Sequence, residues 1–240
     1  AGVTGATILG GTSADINKVT DDYGTVGGGK SNTAGNSDGD TSNASCATVG
    51  GGFLNMASGD YATVGGGESN MASGGYATAG GGAYNTASGQ CASVSGGNDN
   101  VAAGDYSFAA GRRAKIDAAH DGAFLFADQN DNDFNSAAMN EFAVRATGGA
   151  RFVTAIDGGT GAPTKTTVIT SEGKLGAGTT TPAASVHGKA ISAGDKPIVA
   201  QGYASQTANL QEWQNDAGTA LTVVDENGNI GVGAPDPINR

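Results

Sequence analysis

Tyr61-Ala-Thr-Val-Gly-Gly-Gly-Glu-Ser-Asn-Met-Ala-Ser-Gly-Gly75 runs straight into Tyr76-Ala-Thr-Ala-Gly-Gly-Gly-Ala-Tyr-Asn-Thr-Ala-Ser-Gly-Gln90, one fifteen-residue phrase written twice. Outward from this pair the columns continue. Tyr61, Tyr76 and Tyr106 share a phase with Cys91, and Asn55, Asn70, Asn85 and Asn100 form a second column. The triplets Gly50 to Gly52, Gly65 to Gly67 and Gly80 to Gly82, with Ser95-Gly96-Gly97, form a third. The rhythm breaks once: Tyr23 and Cys46 lie 23 residues apart, and the surplus is the polar run Asn36 to Asn43. A fixed period with its insertion confined to one phase predicts a solenoid, whose coils bury their apolar face only by stacking on a neighbour.

Composition agrees. Of 240 residues 43 are glycine and only 6% are aromatic, a poor recipe for an ordinary globular core, while the strict period argues against disorder. The net charge of -11 would repel a phosphate backbone, which excludes nucleic acid as a partner. No run approaches the ~18 apolar residues of a membrane span, so no membrane insertion of this segment is expected. The start, Ala1 to Gly11, has no charged n-region ahead of an apolar stretch; if the chain is exported, it reads as a mature form.

Within a coil the alternation of Tyr-Ala-Thr-Val places Ala62 and Val64 inward and Tyr61 and Thr63 outward, because a tyrosine is too large for an interior filled by alanine and valine. Asn55, Asn70 and Asn85 face inward with Ala57, Ala72 and Ala87, where amides can bond along the stack. The glycine triplets make corners that exclude larger residues. One valine and a few alanines per coil is little apolar burial to set against the backbone entropy of fifteen residues. The outward column Tyr23, Tyr61, Tyr76 and Tyr106 is therefore expected to pack against other chains. Cys46 and Cys91 lie in that column three coils apart. At ~4.8 Å per coil they are out of reach of an intrachain disulfide, which leaves free thiols or an interchain bridge.

These coils, Ala-Thr-Val-Gly-Gly-Gly-x-x-Asn-x-Ala-Ser-Gly, resemble the head repeats of the YadA-like trimeric autotransporter adhesins over about residues 5 to 115. The resemblance implies a left-handed parallel β-roll assembled as a homotrimer. Family repeats carry Ser-Val-Ala-Ile-Gly where this chain has Tyr-Ala-Thr-Val-Gly, and are usually a residue shorter, so the likeness speaks to fold and trimerisation more than to ligand.

The expected organisation is all-β. Residues 1–22 are a degenerate coil and cap, 23–115 the roll, 116–169 a capping β segment with a helical turn around Ser136 to Glu141, and 170–240 a β-hairpin segment. In the last, Gly173-Lys174-Leu175-Gly176-Ala177-Gly178 recurs 55 residues later as Gly228-Asn229-Ile230-Gly231-Val232-Gly233. These phrases, with Ala204 to Gln214 between them, resemble the shafts of phage tail fibres and bacterial surface fibres. In such proteins a cleavable trimerising domain often follows, so the end at Arg240 reads as processed or truncated.

Other motifs carry less. Gly24 to Ser31 satisfies a phosphate-loop pattern, but its glycines belong to the corner repeat and no helix is expected to follow. Asp128, Asn130 and Asp133 space oxygens like a calcium loop and are the weak candidates for Ca²⁺, although Asp133 and Met139 stand where an EF-hand needs glycine and glutamate. Arg112, Arg113 and Lys115 read as an ion-pair patch rather than an anionic-glycan site. His120 and His187 have no nucleophile beside them, and no catalytic or cofactor-binding residue is identified. The threonine column Thr25, Thr48, Thr63 and Thr78 is a poor ice-binding face beside bulky tyrosines, and Asn43-Ala44-Ser45 is a lone glycosylation sequon.

The expected function is non-enzymatic: a subunit of an extracellular fibre or surface filament, at a cell surface or on a virion tail, that meets itself as a homotrimer and binds a cell-surface or matrix receptor or a glycan. The alternatives are a phage tail fibre for host recognition and a tail spike that hydrolyses polysaccharide.

Overall fold

In a computed structural model, the described residues are 3–11, 15–190, 209–215, 219–225 and 228–233, together with 193, 194, 196, 198 and 217. The parts Ala204 to Ala208 and Ala234 to Pro237 of the fibre-like phrases lie outside them. Two compact units are present, Ala1–Thr147 and Gly148–Arg240. No helix occurs among the described residues, and the chain is all-β.

The first unit is a parallel β-solenoid. Each coil gives a short strand such as Thr63–Val64 to a nine-stranded sheet and one such as Met71–Ala72 to an eight-stranded sheet. Neighbours pair in register, Thr48 with Thr63 with Thr78 on the first sheet and Met56 with Met71 with Thr86 on the second. The core between the sheets is as narrow as expected: Ala62, Val64, Ala72, Ala77, Ala79 and Ala87 are fully buried. Toward the C-terminal coils it widens to take larger side chains, Ile116 and Leu125 within it and Phe134 packed against it.

The asparagines form a continuous ladder. Asn70 donates its backbone N–H (3.0 Å) and its side-chain amide (3.2 Å) to the Asn55 Oδ1, while the same amide reaches the carbonyls of Gly66 and Gly82. Asn85 and Asn100 repeat the pattern. Each amide thus closes its own glycine corner and the next one, satisfying groups that burial would otherwise leave unpaired.

The tyrosines are not strand residues. Tyr23, Cys46, Tyr61, Tyr76, Cys91 and Tyr106 have φ between 54° and 61°, the left-handed region. A second such column, Ser31, Leu54, Ser69, Tyr84 and Asp99, precedes the asparagines. The cause is hydrogen-bond direction. Strand amides donate to the following coil, as Thr63 does to Ala77, whereas Tyr61 donates back to Ser45 and Tyr76 back to Asp60. Reversing an N–H between two-residue strands takes a left-handed residue, at a cost of ~1 kcal/mol or more for each side chain with a Cβ. The glycine corners are tighter: a Cβ on Gly74 would run into the Gly89 carbonyl.

The roll does not stop at residue 115. Phe108–Arg112, Phe124–Ala127 and Phe142–Arg145 extend the first sheet in parallel, and Ala114–Ile116 and Phe134–Asn135 extend the second. The expected capping segment is thus mostly further coils, with spacings of 16 between Phe108 and Phe124 and 18 between Phe124 and Phe142. The expected helical turn is corrected to a non-helical turn at Met139 and Asn140, with Asn140 left-handed at φ 55°, and the Ala137 N–H donates to the Glu141 carboxylate at 2.7 Å. At the other end the Thr7–Ile8 strand joins the stack, but Ile8, Leu9 and Ile16 stay exposed rather than forming a closed cap.

The second unit holds two antiparallel meanders, Ala150–Ile156, Pro163–Ile169 and Leu175–Ala177, and Gln211–Gln214, Ala220–Val224 and Ile230–Val232. The 55-residue echo in sequence is an echo in structure. Val168 pairs with Gly176 as Val223 pairs with Gly231. Thr170 donates to Lys174 and Gly173 to Thr170, as Asp225 does to Asn229 and Gly228 to Asp225. A further strand, Val186–Gly188, lies parallel to Leu175–Ala177.

Candidate functional site

Because the interior is filled by small side chains, function has to be sought on the outward columns. The tyrosine column is outward as expected, with Tyr23, Tyr61, Tyr76 and Tyr106 all exposed. Tyr61 and Tyr76 stack with ring centroids 5.2 Å apart and planes 4° from parallel, the rise of the coil imposing the spacing. Cys46 and Cys91 stand in the same column with no disulfide within the chain, Cys91 exposed and Cys46 half-buried. The Tyr61 phenol is pushed up from its ordinary value, first by Cys46 beside it, then by the Asp60 carboxylate and Tyr76.

A second aromatic column went unread in the sequence. On the outer face of the nine-stranded sheet the ladder Thr7, Thr25, Thr48, Thr63, Thr78 and Ser93 is continued in register by Phe108, Phe124 and Phe142. The rings stack at 4.8 and 4.9 Å. Phe142 is 72% exposed, and Phe126 and Val144 beside it are also exposed, so one face of the roll turns from hydroxylic to apolar along its length. The signal was available two positions after each tyrosine phase; the drifting spacing hid it.

The acidic run chosen for Ca²⁺ is organised around an arginine. Arg145 donates to the Asp128 carboxylate through Nε (2.9 Å) and to the carbonyls of Asn132, Arg112 and Asn130 through Nη1 and Nη2 (2.5, 3.1 and 2.9 Å). Asp128 also accepts from the Thr147 N–H and hydroxyl, which with Arg145 holds its carboxyl well below the usual range, the Thr147 bonds contributing most. Asn130 bonds Asn132, and Asp133 pairs with Arg113 at 2.8 Å. The three candidates thus do not converge on a common point: the oxygens that face inward in this loop hold a guanidinium, a cation the chain supplies itself.

The basic cluster is an intrachain ion-pair patch. Arg112 meets Asp131 at 2.8 Å, Lys115 meets Asp99 at 2.7 Å, and Arg113 lies 3.5 Å from Asp99 as well as bonding Asp133. In the phosphate-loop look-alike, Lys30 pairs with Asp15 at 3.0 Å and lies over the Phe53 ring, while Gly27 to Gly29 form a coil corner. His120 Nδ1 meets the Ser136 hydroxyl at 2.6 Å, and His187 Nδ1 accepts from the Ala183 N–H.

The inserted loop is internally tied. Asn43 and Asn36 both donate to the Asp38 carboxylate, Asp40 accepts from the Ser42 N–H and hydroxyl, and both carboxyls are held below their ordinary value by these bonds. Asp21, buried under the loop, takes the Asn36 N–H on Oδ2. The sequon asparagine is therefore an exposed structural member, and its neighbour Ala44 is fully buried. No family model matches the sequence, and a search of curated proteins finds no match either, so the reading of this chain stands on its own geometry.

Proposed function

We propose that the chain is a subunit of a non-enzymatic extracellular fibre, of the kind built from YadA-like heads, that assembles as a homotrimer and presents its roll to a cell-surface or matrix receptor or glycan. The observation that carries this is the pairing of a core of alanine and valine with outward aromatic rungs stacked at coil spacing, Tyr61 on Tyr76 and Phe108 on Phe124 on Phe142. Exposed apolar surface on this scale marks an interaction face, and a net charge of -11 favours uncharged faces for contact between identical chains. The inserted loop at 36–43, exposed and rigidified by its own hydrogen bonds, is where specificity fits best.

The duplicated meanders of the second unit favour one alternative within this class, a phage tail fibre in which they form the shaft. The polysaccharide-hydrolase reading needs two carboxylates free to face one substrate; Asp99, Asp131 and Asp133 are taken up by Arg112, Arg113 and Lys115, so that pair would have to come from carboxylates elsewhere. Sedimentation of the purified chain tests the proposal. A trimer is expected; a stable monomer at micromolar concentration would overturn it.

A further inference from the structure

The two meanders are alike in more than their turns. On one face of the first lie Phe152, Thr167, Ile169, Leu175 and Ala177; in the matching places of the second lie Trp213, Thr222, Val224, Ile230 and Val232. Rung by rung the chemistry is kept: aromatic for aromatic, threonine for threonine, then one aliphatic residue for another. The opposite face is partly used: Val168 and Val223 are buried and a side chain at Gly176 would meet Thr179 of the segment that follows, while Val153 and Leu221 on that side stay exposed. The kept face is bare. Phe152 is 58% exposed, Trp213 51%, Ile230 70% and Val232 78%.

A surface residue facing only water has no reason to stay apolar through a duplication, and twice over this face has stayed so. The face carries one charge, the exposed Lys165 two residues before Thr167 where the second copy has Ala220, and its ten matched positions carry none, in a chain whose net charge is -11. The charges Arg151 and Glu212 pair with Val168 and Val223 and so belong to the opposite side.

We infer that the two meanders are copies of one self-association module, and that each packs its bare face against the same module of a second copy of this chain. The occupant follows from the repetition. A partner that covers both faces must present two matching apolar surfaces with the separation set by this chain, and another copy in parallel register does so by construction. Contact through faces that carry no carboxylate also keeps the acidic surfaces of the copies apart. This rests on the homo-oligomer reading but assigns to it a second interface, separate from the aromatic columns of the roll.

Trp213 is the sole tryptophan of the chain and lies on this face, so its emission reports the contact directly. The full-length protein is sedimented and its tryptophan emission and acrylamide quenching are recorded on the same sample. The expected result is an oligomer with blue-shifted emission and several-fold weaker quenching than free tryptophan, reversed in Ile230→Glu. In a Cys46→Ser, Cys91→Ser background, Ile230→Cys is expected to give an interchain disulfide on oxidation and Glu212→Cys is not. An oligomer whose Trp213 emits and quenches as in water, or in which Ile230→Cys stays unlinked, overturns this interface and leaves the homotrimer standing. A monomer overturns both.

Discussion

The roll and the meanders are both repeats, and they solve the problem of a small core in opposite ways. In the roll the period is 15 and each coil hands its apolar edge to the next, so that Ala62, Val64 and Ala72 disappear inside one chain. In the meanders the period is 55, each copy is a separate sheet, and one face of each remains in solvent. A short period is satisfied within the chain; a long one leaves each copy with apolar side chains in solvent. Stability in the roll should therefore be concentrated in positions where coil meets coil, and in the meanders it should depend on assembly.

The contrast is broken most severely at the glycines. Gly74→Ala places a Cβ against the Gly89 carbonyl, with nothing flexible to yield, whereas a Cβ on the adjacent Gly75 meets nothing within 4 Å. Gly74→Ala is expected to cost on the order of 3 kcal/mol or to prevent folding, and Gly75→Ala less than ~0.5 kcal/mol, in thermal or denaturant unfolding. In the meanders Gly173 and Gly228 also have open space, at φ of 76° and 85°. Equal sensitivity at Gly74 and Gly75 would mean that the coils do not stack as closely as described.

The asparagine ladder comes next. Asn70→Leu removes the donor to Gly66 and Gly82 and the acceptor for Asn85, leaving several buried groups unpaired. About 2 to 4 kcal/mol of destabilisation is expected, with loss of amide-exchange protection in the flanking coils first. If Asn70→Leu is as stable as the parent, the ladder is an accompaniment and the alanine core carries the stack.

The smallest effect is acid dependence. Because the Asp128 carboxyl is held below its unfolded value, its contribution is complete at neutral pH. It begins to be lost as pH falls below about 4 and is gone only once pH drops past its folded value. Arg145→Gln removes the guanidinium but keeps Thr147, so the acid-side slope of the melting temperature should become shallower while the neutral-pH value drops modestly. An unchanged slope would place the acid sensitivity elsewhere.

Much of the roll was legible because its rule is local. Ala62 and Val64 inward, Asn70 in the ladder and Cys46 far from Cys91 all follow from a period of 15 and the size of side chains. What escaped depends on hydrogen-bond direction or on drift. The left-handed tyrosines could not be read from an alternation that looks like a strand, because nothing in Tyr-Ala-Thr-Val shows that the tyrosine N–H points to the preceding coil. The last coils hid behind spacings of 16 and 18, so Phe108, Phe124 and Phe142 looked like separate strands rather than one column. Arg145 was invisible in the acidic run because its partners, Asp128 and the carbonyls of Asn130 and Asn132, meet it only after the loop closes. The meander duplication was visible as a phrase, but the shared apolar face needed the register.

The ladder tolerates the inserted loop: the Asn55 N–H donates to the Asn32 Oδ1 at 3.0 Å across 23 residues as readily as Asn70 does to Asn55 across 15. Every rung reads only the carboxamide before it and the corner after it, so a whole coil can be lost or gained between near-identical neighbours without retuning any side chain. A gene with this repeat can recombine unequally with itself and still encode a folded product, its reach changing in steps of ~4.8 Å. The length of the roll thus becomes a trait that varies by counting, free of the slower search through sequence.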